Sequence, residues 1–132
     1  MASRAMTETR KALLLVAHGS RRESSNEEVR TLTRALAEAA GEFDLVDCAF
    51  LELSGPDIVT GAEDLIRRGA TELTVMPYFL VAGRHVVTDV PAEVERIRRQ
   101  NPGVPVRITD HLGISDTMIT AIMERISSKD SK

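Results

Sequence analysis

The 132-residue sequence has no tryptophan, one tyrosine, three phenylalanines and a single cysteine. One thiol excludes both an internal disulfide and a zinc–thiolate cluster, and Cys48 lies in the apolar-rich run FDLVDCAF, where a small buried side chain is expected. With 3% aromatic residues the core must rest on Leu, Ile, Val, Ala and Met, which suits helices packed on a parallel sheet. A basic excess is also missing. The formal charge is -3 and the pI is near 5.6, so neither nucleic acid nor an anionic membrane is an expected partner. No stretch approaches the roughly 20 apolar residues of a membrane span, and residues 1–10 lack the apolar segment of a signal peptide, so a cytoplasmic domain is expected. Repeats and linker-like stretches are absent, and the length suits one hydrophobic core.

What is present is organised around residues 12–22, ALLLVAHGSRR. A short apolar run closed by a glycine reads as a buried strand, and the polar cluster behind it then sits just past the strand's carboxyl end, where parallel α/β sheets place their ligands. The layout recurs at residues 72–85, ELTVMPYFLVAGRH, so His18 and His85 are expected at one rim.

Between and after these strands the chain alternates. Ser24, Ser25 and Asn26 are acceptable N-caps for a helix with Val29, Leu32, Leu36 and Ala39 at helical spacing. Residues 43–53 read as a second strand that brings Glu52 to the rim. A helix with Ile58, Ala62, Leu65 and Ile66 inward follows, then a third strand at 73–79 and a loop at 80–88 long enough to be functional. Asp89 and Pro91 start a helix with Val90, Val94 and Ile97 inward. A fourth strand at 104–109 leads past His111 and Gly113 to a last helix, in which Met118, Ile119, Ile122, Met123 and Ile126 form an apolar stripe. Residues 1–10 and 128–132 are expected as tails around one domain at 11–127. Four strands alternating with four helices predict a three-layer α/β/α domain on a four-stranded parallel sheet. In the order 2-1-3-4 the switch point falls between strands one and three, which carry His18 and His85 at their ends.

Two imidazoles with a carboxylate suit a divalent first-row metal such as Co, Ni, Fe or Zn, and such a site keeps open coordination positions. Arg21, Arg22 and Arg84 flank the histidines and make a locally positive mouth on an acidic protein. A surface arginine pair is commonly just solvated; beside a metal-type site it points to a polyanionic small molecule, because guanidinium forks pair with carboxylates. Gly19 and Gly83 would let the backbone approach a flat ligand, although ordinary turns would use them equally well.

Four segments, AHGSR at 17–21, AFLEL at 49–53, PYFLVAGRHVVTDVP at 77–91 and DHLG at 110–113, resemble the class II tetrapyrrole chelatases, in particular the short sirohydrochlorin chelatases of the CbiX type. The similarity runs from Lys11 to Ile126. It implies ATP-independent insertion of Co2+, or of Ni2+ or Fe2+, into sirohydrochlorin on the way to cobalamin, coenzyme F430 or siroheme, with the metal a substrate and no permanently bound cofactor. It would make His18 and His85 the metal-binding and proton-accepting pair, with Glu52 an acidic residue near the metal path. Arg21, Arg22 and Arg84 would meet the macrocycle's carboxylates, Gly83 its edge, and Tyr78, Leu80 and Val81 a ring face. Longer members hold two such halves in one chain, so the resemblance implies a homodimer. Two other readings stay open: a metal or tetrapyrrole carrier on the same fold, and a histidine phosphatase-like enzyme, although an arginine normally precedes that His-Gly pair and here Ala17 does.

Overall fold

An uncharged apolar run is stable as a strand only where both of its faces are covered. In the computed structural model, which describes residues 8–128 and, of His85 and Ile114, only the backbone, that run becomes the inner strand β1 (Lys11–Ala17), with residues 12–17 all buried. β2 (Leu45–Phe50) pairs with it on one side and β3 (Glu72–Pro77) on the other, and β4 (Val106–Ile108) lies beyond β3. All pairings are parallel, as the alternation of elements predicts, and the order is β2-β1-β3-β4, the expected 2-1-3-4. The outer strands are shorter than the apolar runs that announce them.

The sheet has two unequal faces. On one, Leu14 and Val16 join Leu73 and Val75 beneath α2 (Ile58–Arg67) and α3 (Val90–Gln100), which contribute Ile58, Ala62 and Leu65, and Val90, Val94 and Ile97. On the other, Leu15, Ala17, Cys48 and Phe50 pack under α1 (Glu23–Ala39), with Val29, Leu36, Met76 and Tyr78 around them. Burial of Cys48 pushes its thiol pKa up, in line with a structural side chain.

The structure corrects several local expectations. Ser24, Ser25 and Asn26 lie inside α1 and do not cap it; Arg22 is the N-cap residue, and it makes no side-chain cap. The helix is also rotated from its expected stripe, so that Asn26 and Thr33 are buried while Leu32 is 38% exposed. The loop expected at 80–88 is half helical: the Val86 and Val87 N–H groups both donate to the Gly83 carbonyl (3.1 and 3.0 Å), starting a π-helical turn at His85–Asp89 that runs into α3. Last, α4 (Asp116–Ser127) carries its apolar stripe but buries no residue.

Of the expected tails, residues 1–7 and 129–132 lie outside the described residues. Arg10 is tied to the body, its N–H donating to Thr71 Oγ1 (2.8 Å) and its carbonyl accepting from the Thr71 N–H (2.8 Å).

Candidate metal and tetrapyrrole site

The β1–β2 ladder does not stop at the strand ends. The Leu51 N–H donates to the Ala17 carbonyl (3.0 Å) and the Glu52 N–H to the His18 carbonyl (3.1 Å), carrying the Ala17–Phe50 register two residues further. This places the His18 and Glu52 side chains together beyond the sheet's carboxyl edge. His18 Nε2 stands 3.2 Å from Glu52 Oε2, with the two side chains 42% and 54% exposed.

The other ring nitrogen fixes the tautomer. His18 Nδ1 lies 2.9 Å from the Gly19 carbonyl, which can only accept, so Nδ1 carries the proton of that bond. In the neutral ring Nε2 then presents a lone pair toward the carboxylate. Two electron-rich atoms at this distance repel one another unless a proton or a cation lies between them.

Gly19 explains why the histidine is followed by glycine. Its φ is +96°, and a Cβ there would overlap the Glu52 carbonyl oxygen. Beyond it, Asn26 holds the turn: the Ser20 N–H donates to Asn26 Oδ1 (2.9 Å), and Asn26 Nδ2 donates to the Ser20 carbonyl (2.8 Å) and Glu23 Oε1 (3.2 Å). Asn26 is 2% exposed, so the histidine turn is latched to α1 by a buried amide. Its only sequence signal was an asparagine six residues after a loop serine, which also reads as a cap. On the Glu52 side, Leu53 has a left-handed φ of 68°, bending the chain directly after the carboxylate. Arg30 donates to Ser54 Oγ (2.9 Å) and lies over the Phe50 ring.

The segment after β3 supplies the other expected contacts. Leu80 and Val81 are 61% and 77% exposed, apolar side chains presented to solvent at the same edge of the sheet. Gly83 and Arg84 are exposed as well, and the backbone of His85 opens the π turn; its side chain lies outside the described residues. Tyr78, whose N–H donates to the Val16 carbonyl (2.7 Å), packs with the cluster under α1. Gly113 braces this segment. Its N–H donates to the Phe79 carbonyl (3.1 Å), and a Cβ on it would overlap the Leu80 carbonyl, which accounts for the glycine of DHLG. His111 is half-buried in the connection just before it.

Arg21, Arg22 and Arg84 are exposed and join no ion pair among the described residues, whereas Arg30, Arg68 and Arg98 are engaged by carboxylates. Among the described residues no three His, Cys, Asp or Glu side chains converge as a metal-binding group. Within them the site comprises a two-member imidazole–carboxylate pair, an exposed apolar segment and exposed guanidinium groups.

A parallel α/β domain with these groups at the carboxyl ends of its strands belongs to the class of open-faced α/β ligand-binding proteins, here with a site suited to a proton or a cation. Comparison sharpens this. Residues 12–129 match the CbiX family model, and the chain belongs to that family. It is 30% identical over 117 residues to the sirohydrochlorin ferrochelatase of Bacillus subtilis, covering 89% of this chain and 44% of that protein. It is 29% identical over 114 residues to the sirohydrochlorin cobaltochelatase of Sulfurisphaera tokodaii, covering 86% and 89%. The structure of SirB from Bacillus subtilis with Fe3+ superposes with a TM-score of 0.83 at 28% identity, covering 94% of this chain and 49% of that one. The chain thus spans about half the length of the Bacillus relative and nearly all of the archaeal one.

Proposed function

We propose that this chain inserts a divalent metal, Co2+ or alternatively Ni2+ or Fe2+, into sirohydrochlorin without ATP, as a cytoplasmic homodimer. The observation that carries the reading is the His18–Glu52 pair, 3.2 Å apart with Nε2 turned toward the carboxylate and both groups open to solvent.

Metal insertion displaces two pyrrole N–H protons, so a base must stand beside the incoming ion. The Nε2 lone pair and the Glu52 carboxylate supply that base and a weak, incomplete ligand set from which the ion is released to the macrocycle. His85, beside the same mouth in sequence, is assigned as the second metal-binding and proton-accepting residue, on the strength of the resemblance. Arg21, Arg22 and Arg84 pair with the peripheral carboxylates, and Leu80 and Val81 lie against the ring. Tyr78 and Gly83 border this surface. The relatives' names, ferrochelatase and cobaltochelatase, support the substrate and leave the choice of metal to the assay.

The test is the visible spectrum of anaerobic sirohydrochlorin with Co2+, Ni2+ or Fe2+, with and without a trace of protein. An accelerated shift through many turnovers is expected. A shift only stoichiometric with protein would instead mark a carrier, and hydrolysis of a phosphate ester without any shift would mark a phosphatase.

A further inference from the structure

His18 and Glu52 are joined by the backbone bond from the Glu52 N–H to the His18 carbonyl, and each residue then runs into a turn of its own. Gly19 bends the chain on one side with a φ of 96°, and Leu53 on the other with a φ of 68°. Two turns diverging from that bond would leave the spacing of the two side chains loosely set. Arg30, on α1, closes the far side. Its Nη2 donates to Ser54 Oγ (2.9 Å), two residues past Glu52, and its Nη1 to Glu23 Oε2 (2.7 Å). The other oxygen of that carboxylate, Glu23 Oε1, accepts from Asn26 Nδ2 (3.2 Å), and Asn26 in turn holds both the N–H and the carbonyl of Ser20. These bonds form a closed circuit: Ser54, Arg30, Glu23, Asn26 and Ser20, then along the chain to His18 and across the backbone bond to Glu52.

Arg30 differs from an ordinary helix-surface cation in two ways. A guanidinium is planar with fixed donor directions, and this one is oriented further by the ring of Phe50, the fully buried last residue of β2, whose centroid lies 5.5 Å from Cζ. Its side chain is 29% exposed, against 64% for Arg34 one turn on, whose bonds go to Glu27 and Thr31 of the same helix. Water and salt therefore screen the Arg30 contacts less. We propose that Arg30 is a positioning residue for the metal substrate, clasping the carboxylate turn to the histidine turn through α1 and so setting the separation at which His18 and Glu52 receive the ion. The proposal rests on the metal-insertion reading above and adds the residue that holds the pair's geometry. Ligands held by bonded neighbours take up an ion more tightly than the same ligands on free turns, because their ordering precedes its arrival.

The test titrates the full chain with Co2+ alone by calorimetry and follows metallation of sirohydrochlorin in parallel. Arg30→Gln is expected to weaken Co2+ binding about 10-fold or more, and Ser54→Ala to weaken it in the same direction. The double variant is expected to match Arg30→Gln, since both changes cut one circuit. Arg30→Lys keeps the charge without the planar fork and is expected to stay weak, whereas Arg34→Gln is expected to bind Co2+ as the parent does. KM for Co2+ should rise while KM for sirohydrochlorin holds; a mere loss of folded protein would lower turnover and move neither. Ser54→Ala removes one hydroxyl and carries the test by itself if Arg30→Gln does not fold. Parent affinity in Arg30→Gln and Ser54→Ala, with Glu52→Gln weakened, would overturn the clasp and leave the metal site standing. Full recovery in Arg30→Lys would show that charge alone matters and would also overturn the clasp. Parent affinity in Glu52→Gln would overturn the site reading and the clasp with it.

Discussion

The two faces of the sheet divide stability from recognition. Beneath α2 and α3, Leu14, Val75, Val90 and Ile97 are completely buried, and this otherwise closed face opens at the rim in a pocket of about 350 Å³ lined by Glu52, Ile58 and Arg96. Beneath α1 the buried cluster is small, a groove stays open beside Tyr78, and polar Asn26 and Thr33 take buried positions that a stability-driven helix would give to leucine. The closed face shows what the fold needs in order to exist. The open one carries the histidine turn, because Asn26 spends its buried amide on Ser20.

Substitutions can break or sharpen this contrast. The largest effect belongs to the closed face: Leu14→Ala, at 0% exposure, is expected to cost about 3–4 kcal/mol in urea unfolding, from lost burial and the cavity left behind. Gly19→Ala comes next. The added Cβ forces the Glu52 carbonyl away and separates the imidazole–carboxylate pair, so metal insertion measured by absorbance should fall about 100-fold or more, equivalent to roughly 3 kcal/mol of barrier. Unchanged turnover would remove the pair from the reaction. Asn26→Ala strips three hydrogen bonds from a buried latch and should cost about 2 kcal/mol in stability while also lowering turnover. A stability loss with turnover intact would make Asn26 purely structural and weaken the contrast between the faces.

A smaller effect returns to the closed face. Asp57 is the N-cap of α2 and accepts from the Thr60 N–H (2.8 Å), a bond that holds its carboxyl pKa below the ordinary 3.8. A lowered carboxyl pKa stabilises the folded state above the unfolded value and loses that contribution as pH falls through the folded one. Loss of the N-cap bond in Asp57→Ala should cost about 1 kcal/mol at pH 7, and the gap between variant and parent should narrow below about pH 3.8 as the parent carboxyl protonates. The smallest effect is expected of Leu32→Ala in dilute protein, within about 0.5 kcal/mol, because the side chain is partly solvated in one copy.

Legibility followed the same division. The closed-face helices were readable because Ile58, Ala62 and Leu65, and Val90, Val94 and Ile97, repeat at helical spacing and are the residues buried. Glu52 was readable as a rim residue because it ends an apolar run. The expected N-caps misled because serine and asparagine serve turns and caps alike, and Asn26 is spent on Ser20 instead. The α4 stripe was readable as a stripe; nothing in its spacing distinguishes a partner in the same chain from one in another.

The sequence by itself determined the alternation of four strands and four helices, the buried centre at β1 and the residue types at the rim, because periodicity and apolar run length are local properties of the chain. Only the tertiary structure decided that His18 Nε2 meets Glu52, that Gly19 is demanded by a carbonyl 33 residues away in sequence, and that α4 stays outside its own core. These depend on strand register and on how a pinned connection aims a helix, and both are settled by contacts between residues far apart in the chain.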